Sequence, residues 1–184
     1  QIITDKFPVM TYPSRKIPDI NFENWRLSVY GLVESEIRWS WDELLSFPQV
    51  SITSDFHCVT HWSKFDNLWE GVQFNSIVSH LKLFPEAKYV MVHSYGGYST
   101  NLDLETLLDD DVLLAHHHNG VSLSLDHGGP LRLVVPKRYA WKSAKWIKSL
   151  EFISSDRPGF WESRGYHMRG NPWLEERYWP ELQR

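Results

Sequence analysis

The single cysteine of the chain, Cys58, stands in the run SDFHCVTHWS with His57 beside it and His61 three residues on. Several chemistries are open to it. A thiolate stabilised by nearby cations or backbone amides is a nucleophile or a soft metal ligand, whereas a protonated thiol is a small buried hydrophobe. A structural zinc site is disfavoured, because such sites use four protein ligands and usually several cysteines. A Cys–His nucleophile remains open on spacing alone, since its histidine can lie far away in sequence.

A second constellation is DHGGPLRLVVPKRYAWKSAKW, residues 126–146. Arg132, Lys142 and Lys145 bracket a turn that contains Ser143, and Gly128-Gly129 lets backbone approach a ligand closely. Cations and a hydroxyl beside glycines suit a local phosphate socket, with arginine as a fork and lysine as a point charge; a solvated basic face is the plainer alternative. The G-x-x-x-x-G-K phosphate loop is absent. The run His116-His117-His118 abuts Asn119-Gly120, which marks it as a polar hairpin end rather than a metal site.

The elements that must position these residues are mostly strands. Trp25, Leu27 and Val29 alternate with polar neighbours, and VSITSDFHC, YVMVHS, PLRLVV and KWIKSLEFI read as further strands. Ser40 with Glu43 is a capping box that opens a short helix; NSIVSHLKLF (75–84) and LDLETLLDD are two more helical stretches. The opening residues 1–24, with prolines at 8, 13 and 18, form an extended arm laid on the domain. The tail after Pro158 is irregular and rich in Trp, Tyr and Arg, so it packs back onto the body. The class is α+β, a single domain over 1–184 with mixed, mainly antiparallel sheets and short helices.

Composition sets the bounds. With 184 residues one domain is the prior, and a formal charge of −4 offers no general attraction to nucleic acid or an anionic membrane. No apolar run approaches a membrane span. One cysteine makes no internal disulfide and fits a reducing compartment. Ten Trp, eight Tyr and nine Phe suit a deep pocket for a flat, heteroatom-rich ligand, as well as core packing.

Taken together, FHCVTHWS, WEGVQF, HGGPLRLVVPKRYAWKSAKWI and GFWESRGYHMRGNPWLEERYW resemble the molybdopterin-binding domain of the sulfite oxidase family, in particular its small stand-alone bacterial members. The resemblance runs from KFPV near residue 7 to the end. It implies a sulfite oxidase-type fold and a molybdenum–molybdopterin cofactor without haem. By the same resemblance Cys58 is the thiolate ligand of molybdenum, beside the two dithiolene sulfurs of one pterin. Arg132, Lys142, Ser143 and Lys145 then hold the pterin phosphate, and His127 and His61 are further cofactor contacts. Tyr166, five residues after Trp161, takes the place of a tyrosine that stands next to the metal's exchangeable oxygen.

The implied activity is oxygen-atom transfer on a small S- or N-centred substrate, either sulfite oxidation or sulfoxide and N-oxide reduction, with an electron carrier as partner. The family's substrate-binding arginine has no counterpart in KFPVMTY, where Lys6 is the nearby cation, and its dimerisation domain is not expected here. A monomer is therefore expected. The expected location is the cytoplasm, or the periplasm where an export leader has been removed. The rival expectations are a metal-free Cys–His thiol hydrolase and a non-catalytic pterin- or nucleotide-binding module.

Overall fold

In the computed structural model, residues 1–11 and 16–180 are described; Pro13 of the expected arm and the last four residues of the tail lie outside them. Eleven strands run in chain order: β1 (Ile2–Ile3), β2 (Arg26–Gly31), β3 (Ile37–Ser40), β4 (Gln49–His57), β5 (Trp62–Gln73), β6 (Tyr89–Ser94), β7 (Ser99–Asp103), β8 (Leu113–His118), β9 (Val121–Ser122), β10 (Arg132–Val134) and β11 (Ile147–Ile153). The α-helices are α1 (Trp41–Leu45), α2 (Phe74–Val78) and α3 (Leu104–Leu107), none longer than five residues.

The strands form two sheets. One has the order β3-β2-β11-β6-β7; the other runs β1-β5-β8-β10, with β4 on β5 and β9 on β8. Most pairs are antiparallel, but β1 on β5 and β11 on β2 are parallel, so both sheets are mixed. Alternation decides the faces. Leu27 and Val29 turn inward from β2 and share one core with Val90, Val92, Leu150 and Phe152 of their own sheet, Val72, Leu114 and Leu133 of the other, and Leu131 just before β10.

The Ser40 capping box is present in full: Ser40 Oγ accepts from Glu43 N at 3.2 Å, and Glu43 Oε2 accepts from Ser40 N at 2.7 Å. Asn119 and Gly120 take φ of 50° and 78° and close the β8–β9 hairpin, as the dipeptide requires. The expected helix over 75–84 is shorter than its pattern. It ends at Val78, because Leu83 is drawn into a bridge with Val33 and the Phe84 N–H bonds the Leu32 carbonyl. The arm is extended, and its start goes further by adding β1 to the sheet beside Trp62 and Ser63.

The long strand β5 carries the frame for the site, since β1, β4 and β8 all pair with it. At Gly71 the ladder to β8 shifts register, and an added Cβ would lie 2.1 Å from the Leu114 carbonyl oxygen. Gly71→Ala is therefore expected to destabilise the protein by about 1–3 kcal/mol through forced backbone shifts. A lower urea midpoint at unchanged slope is the measurement that checks it.

Candidate active site

The reversal after β4 presents Cys58. Its N–H donates to the Trp62 carbonyl at 2.9 Å and its own carbonyl accepts from His61 N at 3.2 Å, so four residues turn the chain into β5. His61 closes the turn with φ of 70°, a left-handed value uncommon outside glycine. Its side chain is exposed and does not line the cavity beside Cys58. Nor does His57, whose Nδ1 bonds Ser63 Oγ at 2.8 Å and whose ring meets Trp173 edge-on at 5.3 Å. Neither histidine flanking Cys58 lines that cavity, so the expected cofactor contact His61 stands apart from the site residues gathered there.

Cys58 is 6% exposed and its Sγ lies 3.1 Å from Thr60 Oγ1. It lines a cavity whose empty space, counted together with the open solvent at its mouth, is about 900 Å³. Of the expected site residues, this cavity brings together Cys58, His127, Arg132, Ser143, Lys145 and Tyr166. No carboxylate is among its described lining residues.

Arg132 leaves β10 into the interior and is 3% exposed. Its guanidinium donates to the carbonyls of His127 at 2.8 Å, Ser143 at 3.0 Å and Leu133 at 3.4 Å. Three rings surround it, with Phe56 5.1 Å, Trp69 5.4 Å and Phe7 5.7 Å from the guanidinium carbon to the ring centre. Burial alone lowers its pKa to about 9, with no acidic group opposing that shift. Lys145, from the same side, donates to the Asp126 carbonyl at 2.7 Å and sits 4.3 Å over Trp146. Burial, then the Arg132 charge, lowers it to about 8 against a small opposing effect of Asp126. Burial, then Arg132 and Lys145, also lowers His127, whose ring stacks on Phe7 at 4.5 Å. Ser143 Oγ accepts from Val135 N at 2.9 Å.

A cavity with a buried guanidinium, a half-buried ammonium, an imidazole and a hydroxyl, and with no carboxylate among its described lining residues, fits an anionic group. The aromatic walls fit a flat one, and the single sulfur fits a soft metal. The residues present thus match a phosphate-bearing, metal-carrying ring system.

Lys142 is the expected phosphate contact that the structure places elsewhere. It is fully buried, with Nζ 2.6 Å from Glu162 Oε1 and donating to Asn101 O at 2.8 Å and Asn101 Oδ1 at 2.9 Å. The 3-10 turn Ala140–Lys142 sends its side chain behind the wall while Lys145 goes to the cavity. Burial lowers its pKa, and Glu162 opposes that. The same Glu162 oxygen accepts from Trp141 Nε1 and Thr100 Oγ1, both at 2.8 Å. This knot fixes the wall in which Trp141 meets Tyr166 at 5.0 Å and Tyr166 stacks on Trp161 at 4.7 Å.

Phe7, Tyr98 and Trp161 line the cavity without having been singled out in the sequence. Only Trp161 carried a local signal, as a ring near Tyr166 in the aromatic tail. The three adjacent histidines are half-buried rather than solvated: His116 bonds Gln49 Oε1 at 2.8 Å, His118 bonds Asn67 Oδ1 at 3.0 Å, and burial pushes His118 down to about 4.

Against known proteins, residues 14–161 match the family described as the oxidoreductase molybdopterin binding domain. The oxidoreductase YuiH of Bacillus subtilis (strain 168) is 42% identical over 97% of this chain and 89% of its own length. A putative protein-methionine-sulfoxide reductase subunit, YedZ1 of Azospira oryzae, is 31% identical over 92% of this chain and 64% of its own. The NADPH nitrate reductase of Aspergillus niger is 29% identical over 92% of this chain, which spans 22% of that protein. Among solved structures, the sulfane dehydrogenase SoxCD of Paracoccus pantotrophus shares the fold, with a TM-score of 0.69 at 23% identity over 76% of this chain and 40% of that one.

Two outcomes follow from the charges. Lys142→Met leaves Glu162 buried without its cation and is expected to destabilise by about 3–5 kcal/mol in urea unfolding, with the double variant Lys142→Met, Glu162→Gln recovering part of that loss. For Lys145 the folded pKa of about 8 lies below the ordinary lysine value of 10.5, so the folded protein binds fewer protons than the unfolded chain between them. Its effect on the ligand-free protein is stability that rises with pH through that window. An anion bound beside it favours the charged form, so anion affinity is expected to be highest below about 8 and to fall above it. Calorimetric titration with inorganic pyrophosphate at several pH values measures this.

Proposed function

This chain belongs to the oxidoreductase molybdopterin-binding domain family, and from that premise we propose that it moves an oxygen atom to or from a small S- or N-centred substrate at a molybdenum held by Cys58. The observation that carries the reading is the placing of one sulfur and a buried, carboxylate-free guanidinium on the same aromatic-walled cavity. The reading takes residues 1–184 as one molybdopterin-binding unit, acting as a monomer with a separate electron carrier.

Cys58 would supply the thiolate to the metal, and its backbone bonds to Trp62 and His61 hold the sulfur at the end of a paired strand rather than on a free loop. Arg132 and Lys145 would hold the phosphate, Arg132 as a fork whose orientation the His127 and Ser143 carbonyls fix. The Phe7–His127 stack would flank the pterin. When bound, the group supplies a two-electron change coupled to gain or loss of one oxygen atom. Trp141 and Trp161 keep water from the reacting end, and the Tyr166 phenol can hold or pass a proton there.

Protein made in cells that synthesise the pterin is expected to carry about one molybdenum per chain and to lose it in Cys58→Ser, because the thiolate is the soft ligand that the protein provides. Stoichiometric zinc, or activity that survives without metal, would overturn the reading. Tyr166→Phe is expected to keep the metal and lower kcat by about 100-fold, the scale of one positioned proton donor. Wild-type turnover in that variant would return Tyr166 to packing alone.

A further inference from the structure

Residues 1–11 run along the cavity and reach both of its ends. Gln1 Nε2 donates to the Cys58 carbonyl at 3.0 Å and Ile2 N to the His61 carbonyl at 2.8 Å, so this part of the arm lies on the turn that presents the sulfur. Thr4 N continues the pairing and donates to the Ser63 carbonyl at 2.9 Å. Further along, the Phe7 ring lies parallel to His127 at 4.5 Å, and its centre is 5.7 Å from the Arg132 guanidinium carbon. Phe7, Pro8, Met10 and Thr11 line the cavity itself.

The grip of this segment on the body is light. Strand β1 has two residues and stands at the edge of its sheet. Ile2 and Ile3 are 74% and 64% exposed, and Val9 and Met10 are exposed too, so these side chains bury little apolar area. Phe7 is the exception. Its ring meets Phe56 at 5.3 Å, His118 at 5.1 Å and Trp69 at 5.9 Å. A segment held by a few backbone bonds and one packed ring opens at lower free energy than the sheets behind it.

We propose that residues 1–11 are a strap over the cofactor site, which lifts to admit or release the bound group and which Phe7 latches shut. This rests on the molybdenum–pterin reading above and concerns how that same site keeps its group. A group held at both Arg132 and Cys58 gives the strap a further surface to close on, so binding shifts its open–closed balance toward the closed form. Weakening the strap anywhere along its length then speeds loss of the group, even at positions that do not touch the cavity. A wall that merely packs beside the ligand lacks this second property.

Lys6 is exposed, and the Lys6–Phe7 bond gives trypsin a cut inside the strap. Cleavage there in the full chain, followed by mass spectrometry, is expected to be at least about 10-fold slower in the molybdenum-replete protein than in the ligand-free one, because proteolysis reports the open population. Saturating inorganic pyrophosphate is expected to slow it in the ligand-free protein as well. The double variant Ile2→Pro, Thr4→Pro removes two N–H donors and leaves Phe7 and every lining side chain in place. It is expected to release its pterin, read by fluorescence after dilution, at least about 10-fold faster than the wild type, the scale of two hydrogen bonds. Phe7→Ala is expected to do the same from the other end. Urea unfolding of each variant verifies that it is folded under the release conditions.

Equal cleavage at Lys6–Phe7 with and without the bound group, or a folded double variant that keeps its pterin as long as the wild type, overturns the strap and leaves the molybdenum reading standing. A protein that holds neither molybdenum nor pterin when made in pterin-producing cells removes that reading, and pyrophosphate then decides the strap. Slower cleavage with pyrophosphate supports it; pyrophosphate that binds without slowing cleavage, or does not bind, overturns it too.

Discussion

Arg132 is a cation in the interior with no acid paired to it among the described residues. Taking a guanidinium out of water is costly, and the fold meets that only partly, with three backbone carbonyls and the faces of three rings. The deficit shows in the fall of its pKa to about 9 through burial alone. The carbonyls come from the segments that the socket needs: His127 from the turn before β10, Ser143 from the turn after it, Leu133 from β10 itself. One side chain thus ties the local shape of the cavity to its positive potential. Any change that relieved the charge by adding an acid would also remove the reason for an anion to bind.

The opposite end is stabilised by the complementary solution, a buried pair. Lys142 and Glu162 lie side by side with Asn101, Thr100 and Trp141 completing most of their hydrogen bonds, though Glu162 Oε2 has no partner. The pair joins the turn before β11 to the aromatic tail. Its net contribution to stability is small in principle, but it fixes which way the side chain at 142 points and so where Trp141 and Tyr166 stand. The cavity therefore has one end set by an unpaired charge and the other by a neutralised one.

Much of this was legible in the sequence, for local reasons. Alternation marked β2, and the runs VSITSDFHC and KWIKSLEFI marked β4 and β11; Ser40 with Glu43 marked a helix start, and Asn119-Gly120 a hairpin. Cys58 and the cations at 132 and 145 stand out by residue type within short runs, and all three line the cavity. What failed was direction. Lys142 and Lys145 stand three residues apart in one basic run, and nothing in that run says that a 3-10 turn sends the first behind the wall and the second to the cavity. Its partner Glu162 is 20 residues further along the chain. His61 likewise turns away from the cavity, at a left-handed backbone position in the reversal between β4 and β5 that its own residue type does not announce. The helical pattern over 75–84 lost its second half to a bridge with Val33, a contact distant in sequence.

The same logic connects the arm to the ligand. Phe7 has no periodic neighbours to mark it, yet its ring stacks on His127 and faces Arg132. A ring face is a weak substitute for an anion, because its attraction for a cation is a fraction of that of a carboxylate or phosphate at hydrogen-bond distance. An anion bound to Arg132 and Lys145 would therefore supply the counter-charge for which the rings are only a partial substitute. It acts on the native state alone, so fold and ligand stabilise each other by mass action. The segments joined by Arg132, the turns on either side of β10, are the ones that would gain most from such an anion.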